Sequence, residues 1–306
     1  MRRVEHASCV PAVAADAAAV AEVVVALVSS MYAPIAFSQA DLEAEWSDLD
    51  LERDARVVRD GARILGYGAV RERGTSWRVE GYVHPDALGR GIGTMIATGL
   101  EHDAVRGGAR RIHNSVLEAD SAARRLLESL GYSAVRVFRG MRIELERPPP
   151  APQWPDGLRV VSFDPRHDAR EFHAAHQEAF ADGWDHTPRD FESWSKAHLA
   201  SERFDATLWC VLRAGNEIAA GTICTGDTYG GGFVHALFTR PRWRKQGVGA
   251  ALLTDSFRRL WERGERSVGL GVDAASDTGA FRIYERAGMA PELGSVVYEK
   301  QLSDAA

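Results

Sequence analysis

A short glycine-containing segment in the last third of the chain combines residue types that bind an anion. Gly247 and Gly249 follow a run of polar residues, Arg244, Lys245 and Gln246, and a long pattern of apolar residues at helical spacing comes next. Glycine has no Cβ, so the backbone of such a loop approaches a ligand closely. The N–H groups of the loop and of the first helical turn then face a phosphate group. The segment predicts an anion-binding loop, although a turn glycine before any helix gives the same pattern.

Two other chemistries have weaker support. The glycine spacing is not the GxGxxG of dinucleotide-binding folds, and no Gly-Lys-Ser/Thr marks a P-loop. His173 and His176 are three residues apart, so on a helix they share a face and could ligate a metal. No cysteine or carboxylate cluster accompanies them in the sequence, which favours a solvated or helix-packing face. No metal is therefore expected.

The elements that must position the loop occur twice in the chain. The segment Pro85–Gly93 resembles Pro241–Gly249, and Ala122–Tyr132 resembles Gly279–Met289. Corresponding glycines of the first pair are 156 residues apart (91 to 247), and those of the second pair 157 (131 to 288). Offsets that agree within one residue indicate duplication of a whole domain rather than a short-period repeat.

A proline-rich segment divides the sequence almost at its midpoint. Proline has a fixed φ and no N–H, so Pro148–Pro155 is expected to form an extended spacer. We predict an N-terminal domain at 1–147, a linker at 148–156 and a C-terminal domain at 157–306, each an α/β domain with a mixed sheet flanked by helices. The second domain is predicted to contain strands at 158–163, 207–212, 217–225, 233–240, 266–272 and 296–301, and helices at 166–180, 189–199, 246–263 and 278–287.

The composition is that of an ordinary globular protein. Of 306 residues, 45% are hydrophobic and 26% charged, and a net charge of −6 argues against nucleic acid as the main partner. The three cysteines, Cys9, Cys210 and Cys224, form no CxxC pair, which favours a reducing compartment, so we expect a cytoplasmic protein. The apolar run Val10–Ser30 contains two acidic residues. It predicts an amphipathic helix rather than a secretion signal or membrane anchor.

Two signatures of this sequence resemble those of the GNAT superfamily of acyl-coenzyme A-dependent N-acyltransferases. Arg244–Gly249 matches the family's Gln/Arg-x-x-Gly-x-Gly/Ala loop, and Tyr284–Met289 matches its Tyr-Glu-Arg-x-Gly-Met/Phe helix end. The duplicated arrangement, with Phe180–Trp184 and Val272–Ala280, is similar to that of tandem GNAT proteins of the mycothiol synthase type. The resemblance implies two GNAT-like domains with acetyl-CoA as the co-substrate.

The resemblance also implies where the coenzyme binds. The main-chain amides of the loop would hold its pyrophosphate, with added charge from Arg244, and the strand before the loop would bind the pantetheine arm and polarise the thioester carbonyl. Ser276 stands where many members have an asparagine that holds the coenzyme. The implied coenzyme ligands are Leu237, Phe238, Thr239, Arg244, Lys245, Gln246, Gly247, Val248, Gly249, Ala250 and Ser276.

The catalytic groups follow from the same resemblance. In GNAT enzymes the acceptor amine attacks the thioester directly, and a tyrosine at the position of Tyr284 gives a proton to the departing thiolate; the alternative for Tyr284 is a core aromatic residue. Phe233 replaces the glutamate that many members carry on the strand before the loop. His235 shares a strand face with Phe233 and carries an imidazole that can accept a proton, so it is the candidate base. The alternative, to which we give equal weight, is that His235 has only a structural role as a histidine hydrogen-bonded within the strand.

Two further segments correspond to functional regions of the family. An acidic and aromatic group follows the first helix of the second half, where GNAT folds line the acceptor site, and it is either a site for a cationic amine or a polar loop. Its residues are Asp182, Trp184 and Asp185. In the first half the loop offers a possible second coenzyme site at Arg90, Gly91, Ile92, Gly93 and Thr94. Leu127 holds the tyrosine position there and cannot donate a proton, so this half is predicted to be catalytically silent.

These observations predict an N-acetyltransferase that acts on a primary amine of a small molecule, with no nucleic-acid or membrane partner. Two alternatives remain: acetylation of a protein or peptide amine, and a degenerate pair of domains that binds acyl-CoA as a sensor or scaffold. The missing glutamate and asparagine favour the sensor, whereas Tyr284 and the intact loop Arg244–Gly249 favour catalysis.

Overall fold

The computed structural model describes residues 7–33, 35–73, 76–275 and 279–302. Contacts divide the chain into two compact units, Met1–Phe138 with Glu292–Ala306, and Arg139–Pro291. The first unit therefore takes its residues from both ends of the chain. The last strand belongs to the first unit because it pairs with a strand there, and the division at 148–156 stays a prediction from the prolines.

The strands alternate with helices along the chain. In chain order the strands are β1 (Ser8–Pro11), β2 (Ala55–Asp60), β3 (Arg63–Arg73), β4 (Ser76–Val83), β5 (Arg111–Leu117), β6 (Ser133–Glu144), β7 (Arg159–Ser162), β8 (Cys210–Ala214), β9 (Glu217–Thr228), β10 (Gly231–Thr239), β11 (Ser267–Asp273) and β12 (Ala290–Gln301). The α-helices are α1 (Ala17–Ser29), α2 (Gln39–Trp46), α3 (Leu51–Asp54), α4 (Ile92–Arg106), α5 (Ser121–Ser129), α6 (Ala169–Phe180), α7 (Phe191–His198), α8 (Val248–Arg263) and α9 (Ala280–Arg286).

Each unit contains a mixed sheet flanked by helices, which confirms the predicted fold class. In the first unit the order runs β1-β2-β3-β4-β5-β12, and β4 and β5 are parallel whereas the other pairs are antiparallel. In the second unit the order runs β11-β10-β9-β8-β7, and β10 and β11 are the parallel pair. In both units the first strand of the parallel pair leads into the glycine loop, so the two halves share one plan.

The duplication is visible in the backbone angles of the two loops. Gly91 precedes α4 with a φ of 86°, and Gly247 precedes α8 with a φ of 82°. Both lie in the left-handed region, where a side chain is unfavourable, so the requirement for glycine is conformational at both positions. A short 3-10 turn, Pro85–Ala87 or Pro241–Trp243, comes before each loop.

The ends of the two short helices match as well. The N–H of Tyr132 donates to the Leu127 carbonyl at 3.0 Å, and the N–H of Met289 donates to the Tyr284 carbonyl at 3.1 Å. Each bond closes around a left-handed glycine after α5 or α9, which is the Schellman pattern of a helix end. Leu127 and Tyr284 therefore occupy equivalent positions in the two units, as the sequence offset predicts.

An aromatic core holds α6 and α7 on the sheet of the second unit. Phe172, Trp194 and Trp209 are each at most 1% exposed, and the Phe172 ring centroid lies 5.0 Å from that of Phe238. A Cβ on Gly221 of β9 would come within 2.6 Å of the Phe172 ring. Glycine at this position therefore lets α6 lie close against the strand.

Two predicted strands differ from the observed ones by three or more residues at their starts. The strand predicted from Thr207 begins at Cys210, because the Asp205 carboxylate accepts the Thr207 N–H at 2.9 Å and caps a 3-10 turn over Ala206–Leu208. The last strand starts at Ala290, earlier than the predicted residue 296.

No helix in the described part of the chain combines the length and hydropathy that a membrane span requires.

Candidate active site

The loop before α8 exposes a row of main-chain donors. Lys245 and Gly247 have positive φ values, 62° and 82°. Within the described part of the chain, the amides of Gln246, Gly247, Val248, Gly249 and Ala250 donate to no protein acceptor. A Cβ on Gly247 would meet no atom within 4 Å, so the space beside the loop is open. Free amides at the start of a 16-residue helix form a site suited to an anion.

Arg244 does not point its charge at this open space. Its guanidinium donates to both carboxylate oxygens of Asp182, at 2.5 and 3.2 Å, and to the carbonyls of Ala179 and Thr239, at 2.7 and 3.1 Å. The bonds from Arg244 hold the pKa of Asp182 below its usual value. Four of its five N–H donors are thus engaged, and Arg244 joins the segment after α6 to the end of β10.

The strand before the loop diverges from its parallel neighbour. Pairing between β10 and β11 runs through Gly232, Phe233 and Val234 and ends at the pair Val234–Leu270. Both strands continue beyond that pair, β10 to Thr239 and β11 to Asp273. On its other side β10 stays paired with β9, through Leu237, Phe238 and Thr239. The edge of β10 that faces β11 is thus unpaired next to the glycine loop, where an amide-rich ligand can add to it.

Tyr284 lies in the core but its hydroxyl is not sealed. The residue is 7% exposed, and burial raises the pKa of the phenol to about 12. Among the described residues the hydroxyl has no hydrogen-bond partner. It is also absent from the set of fully buried polar atoms, so it is open to solvent. The preceding residue, Ile283, has its Cδ1 3.3 Å from the position of a Cβ on Gly249, so α9 packs against the start of α8. Tyr284 is thus a core ring with a free proton donor.

His235 occupies a bulge in β10. Val234 pairs with Cys224 and Ala236 pairs with Ile223, so His235 is the extra residue of the ladder. Its ring lies 4.9 Å from that of Phe233, consistent with a shared face, and its Nε2 is 2.8 Å from Thr225 Oγ1. The residue is open to solvent on one side. Even so, desolvation by the surrounding protein atoms, with a contribution from the charge of Arg203, lowers its pKa to about 4.

The predicted acceptor residues follow α6. Asp182 is engaged by Arg244, whereas Trp184 and Asp185 are half-buried, and Asp185 has a φ of 51°. Ser276 lies outside the described residues. His173 Nε2 donates to the Arg189 carbonyl at 2.7 Å. No group of three or more histidine, cysteine or acidic side chains in the described ranges is arranged to hold a metal ion.

The first unit contains a cavity beside its own glycine loop. The cavity has a volume of about 240 Å³ and is lined by Gly91, Ile92, Gly93 and Thr94 of the predicted second site, together with Leu127. Pairing between β4 and β5 ends at Glu80–Ser115, so these strands diverge as β10 and β11 do. Leu127 is 2% exposed and presents only carbon atoms at the position equivalent to the Tyr284 hydroxyl.

Sequence reasoning missed the threonines beside His235. Thr225 Oγ1 lies 2.8 Å from Thr228 Oγ1, and the Thr228 hydroxyl donates to the Gly226 carbonyl at 3.0 Å. The sequence signal is a Thr-Gly-Asp-Thr run at the end of a predicted hairpin strand. Its relation to His235 depends on strand register and on a bulge, which the run does not specify.

Fold and site together define a protein with two α/β domains, each with a diverging parallel strand pair and an amide-lined loop. The chain belongs to the acetyltransferase (GNAT) family, whose model matches residues 24–132 and 169–289. It is therefore an acyltransferase. The tandem arrangement predicted from the duplicated motifs is confirmed by these two matches.

Individual relatives agree with this placement. Mycothiol acetyltransferase of Thermobispora bispora is 30% identical over 257 residues, covering 80% of this chain and 82% of that protein. A GCN5-related N-acetyltransferase from Sphaerobacter thermophilus has a solved structure with a TM-score of 0.85 and 31% identity, covering 98% of this chain and 97% of the other. A tandem GNAT protein from the clavulanic acid biosynthesis pathway shares the fold, with a TM-score of 0.74 at 16% identity, covering 98% of this chain and all of the other.

Proposed function

We propose that the second unit transfers an acetyl group from acetyl-CoA to a primary amine of a small molecule. The observation that carries this proposal is the row of unpartnered amides at Gln246–Ala250 on the same unit as the open hydroxyl of Tyr284. The amides suit the pyrophosphate of the coenzyme, and the hydroxyl suits the thiolate that leaves. The relatives named mycothiol acetyltransferase support a small-molecule acceptor.

The coenzyme is proposed to bind along the loop and the free edge of β10. The amides of Gln246–Ala250 would hold the pyrophosphate, and the main chain of Leu237–Thr239 would bind the pantetheine arm and polarise the thioester carbonyl. Lys245 and Ser276 remain proposed contacts. Arg244 is proposed as a positioning residue, because four of its five N–H donors already bind Asp182 and two carbonyls.

The low pKa of His235 restricts the step in which it acts. A free alkylammonium has a pKa of about 10.4, so an imidazole with a pKa of about 4 is a poor base toward it. We therefore propose that the amine binds neutral and donates a hydrogen bond to His235. As the N–C bond forms, the nitrogen becomes strongly acidic, and its proton moves to the imidazole.

Tyr284 is proposed to act on the other side of the reaction. Because its pKa is raised to about 12, the phenol stays protonated at physiological pH and always presents a donor. As the C–S bond breaks, the thiolate takes the phenol proton, and the phenolate recovers a proton from solvent or product. One amine and one thioester give one amide and one thiol, so the step balances.

The acceptor would approach from the segment that follows α6. Trp184 and Asp185 stay proposed contacts for a cationic or polar amine, whereas Asp182 acts through Arg244.

The first unit is proposed to be silent in catalysis, since Leu127 stands where Tyr284 does in the second unit. It is also proposed to bind a second coenzyme at Arg90–Thr94.

The proposal is tested by measuring thiol release from acetyl-CoA with a panel of small primary amines, in parallel with peptides that have a free amine. Saturable turnover with a small amine, and its loss in Gly247→Trp, would support the proposal, because the bulky side chain fills the open space at the loop. Turnover with peptides alone would identify a peptide acetyltransferase. Tight coenzyme binding without turnover of any amine would point to a sensor, and the proposal would then be wrong.

A further inference from the structure

We propose that Thr225, with Thr228, is a positioning residue that fixes which nitrogen of His235 accepts the proton of the amine. The inference rests on the proposed function, because it assigns the reacting atom of the proposed base. It is carried by the direction of the hydrogen bonds around His235 and by two bulges in the strands that present them.

A bulge in β9 brings the two threonine hydroxyls together. Thr225 and Thr228 are three residues apart, whereas their partners on β10, Phe233 and Gly231, are two apart, so β9 contains one extra residue. Residues three apart in a regular strand point to opposite faces. Asp227 has a φ of 48°, and its N–H donates to Glu265 Oε1 at 2.7 Å, which holds the extra residue in place.

A second bulge, in β10, brings His235 to the same pair. His235 is the extra residue between two paired neighbours, and its Nε2 reaches Thr225 Oγ1 at 2.8 Å. Thr228 is 2% exposed, so the end of this chain of hydroxyls is buried and shielded from exchange with solvent. The His235 ring lies at the open end, where a substrate amine can reach it.

The direction of each bond follows from the number of protons. Thr228 has one hydroxyl proton, and it goes to the Gly226 carbonyl at 3.0 Å, because a carbonyl only accepts. In the 2.8 Å contact between the two hydroxyls, Thr225 must therefore be the donor. Its oxygen is then left to accept the proton of His235 Nε2. Arg203, 3.4 Å from Thr228 Oγ1, is also a donor and agrees with this direction.

The consequence is a single neutral tautomer of His235. Nε2 carries the proton and Nδ1 keeps the lone pair, and within the described residues Nδ1 has no hydrogen-bond partner. Nδ1 is therefore the atom that accepts the proton of the attacking amine. When Nδ1 becomes protonated, Nε2–H still donates to Thr225, so the chain ending at the Gly226 carbonyl needs no rearrangement during the step.

The experiment is ¹⁵N NMR of the full-length protein labelled at its histidine side chains, with His235→Gln used to assign the signal. At pH 7 we expect His235 to show a protonated Nε2 and an unprotonated Nδ1. In Thr225→Val, which removes the hydroxyl at nearly constant shape, we expect a mixture of tautomers and a kcat at least about tenfold lower, with an unchanged KM for acetyl-CoA. Thr225→Ser should restore both readouts.

Thr222→Val is the matched control. It removes a hydroxyl of the same strand, but one that accepts the Cys210 N–H and does not contact His235. It should leave the His235 tautomer unchanged. If Thr225→Val does not fold, Thr228→Val provides the same test one step further from the ring. A protonated Nδ1 in the unmodified protein, or a tautomer unaffected by Thr225→Val, would overturn the inference. Full activity of His235→Gln would instead refute the base role in the proposed function, since the NMR readout needs no catalysis.

Discussion

Asp182 and Arg244, 62 residues apart, form an ion pair in which the guanidinium donates to both carboxylate oxygens, at 2.5 and 3.2 Å. The same guanidinium also donates to the carbonyls of Ala179 and Thr239. The basic residue that opens the glycine-loop motif thus ties the loop to the end of α6. Its contribution to coenzyme binding is expected to be indirect.

This relationship predicts unequal effects of removing the two partners. Asp182→Asn should lower the free energy of unfolding by less than about 1 kcal/mol, because the Asp182 side chain is 59% exposed and its ion pair is screened. Arg244→Ala should cost more, about 1–3 kcal/mol, because two carbonyls also lose their donor. Denaturant titration measures the unfolding free energies of both variants, with the m-value expected to stay constant. Equal losses of stability in the two variants would contradict the positioning role of Arg244.

Tyr284→Phe separates catalysis from stability. Since the hydroxyl has no described partner, the melting temperature should change little, while kcat should fall about 10²–10⁴-fold as the proton donor is lost. A thioester with a more acidic leaving thiol should recover part of the loss, because such a thiolate needs less protonation. Rates with acetyl-CoA and with the activated thioester provide the measurement. An equal loss with both substrates would show that Tyr284 is not the acid.

Glycine at the two loop positions should be needed to a similar degree for stability. Gly247→Ala should cost about 1–2 kcal/mol of unfolding free energy, because φ is 82° and the added Cβ meets no atom within 4 Å, so strain is the cause. Gly91→Ala is the matched variant, with a φ of 86° and the same open space. Asparagine should be tolerated better than alanine at both positions. A cost near zero would mean that the loop relaxes.

Two half-buried histidines predict loss of stability in mild acid. Burial lowers the pKa of His176 to about 4 and that of His198 to about 3, against about 6.5 in the unfolded chain. Between pH 6.5 and about 4 the unfolded state therefore binds more protons, and stability falls as pH falls, by at most about 1.4 kcal/mol per pH unit for each histidine. Above about pH 7.5 both states leave these histidines neutral, so neither residue should contribute any slope.

His198→Phe tests this assignment, because it keeps a ring between Trp194 and Trp209 but cannot bind a proton. Unfolding free energies measured from pH 7.5 to 4.5 should give a flatter curve in His198→Phe than in the unmodified protein. The exposed His102 provides the control, and His102→Gln should leave the curve unchanged. A variant curve parallel to that of the unmodified protein would assign the acid sensitivity to other groups.

The cavity of the first unit predicts a coenzyme stoichiometry of two. Calorimetric titration with CoA should resolve one site on each unit. Leu126→Trp should remove one of them, because Leu126 lines the 240 Å³ cavity and its Cδ2 lies 3.1 Å from the position of a Cβ on Gly93. One site before and after this substitution would show that the first unit binds no coenzyme.

The sequence by itself determined the local features of the site. Gly247 and Gly91 are required by positive φ. The helix ends that contain Tyr284 and Leu127 are fixed by the glycines that follow, so a short motif specifies their geometry. The duplication, the fold class and the loss of the tyrosine in the first half were predictable for the same reason. Each is read from short motifs, and the duplication from their recurrence 156 to 157 residues later in the chain.

Only the tertiary structure decided the long-range partners. The pairing of β12 with β5, the binding of Arg244 to Asp182 and the meeting of Thr225 with His235 join residues that no local pattern relates. The last of these depends on one extra residue in each of two strands, and a shift of one residue turns a side chain to the opposite face. Such a choice is made by the packing of the whole sheet, so the tautomer of His235 follows from the fold rather than from the residues beside it in sequence.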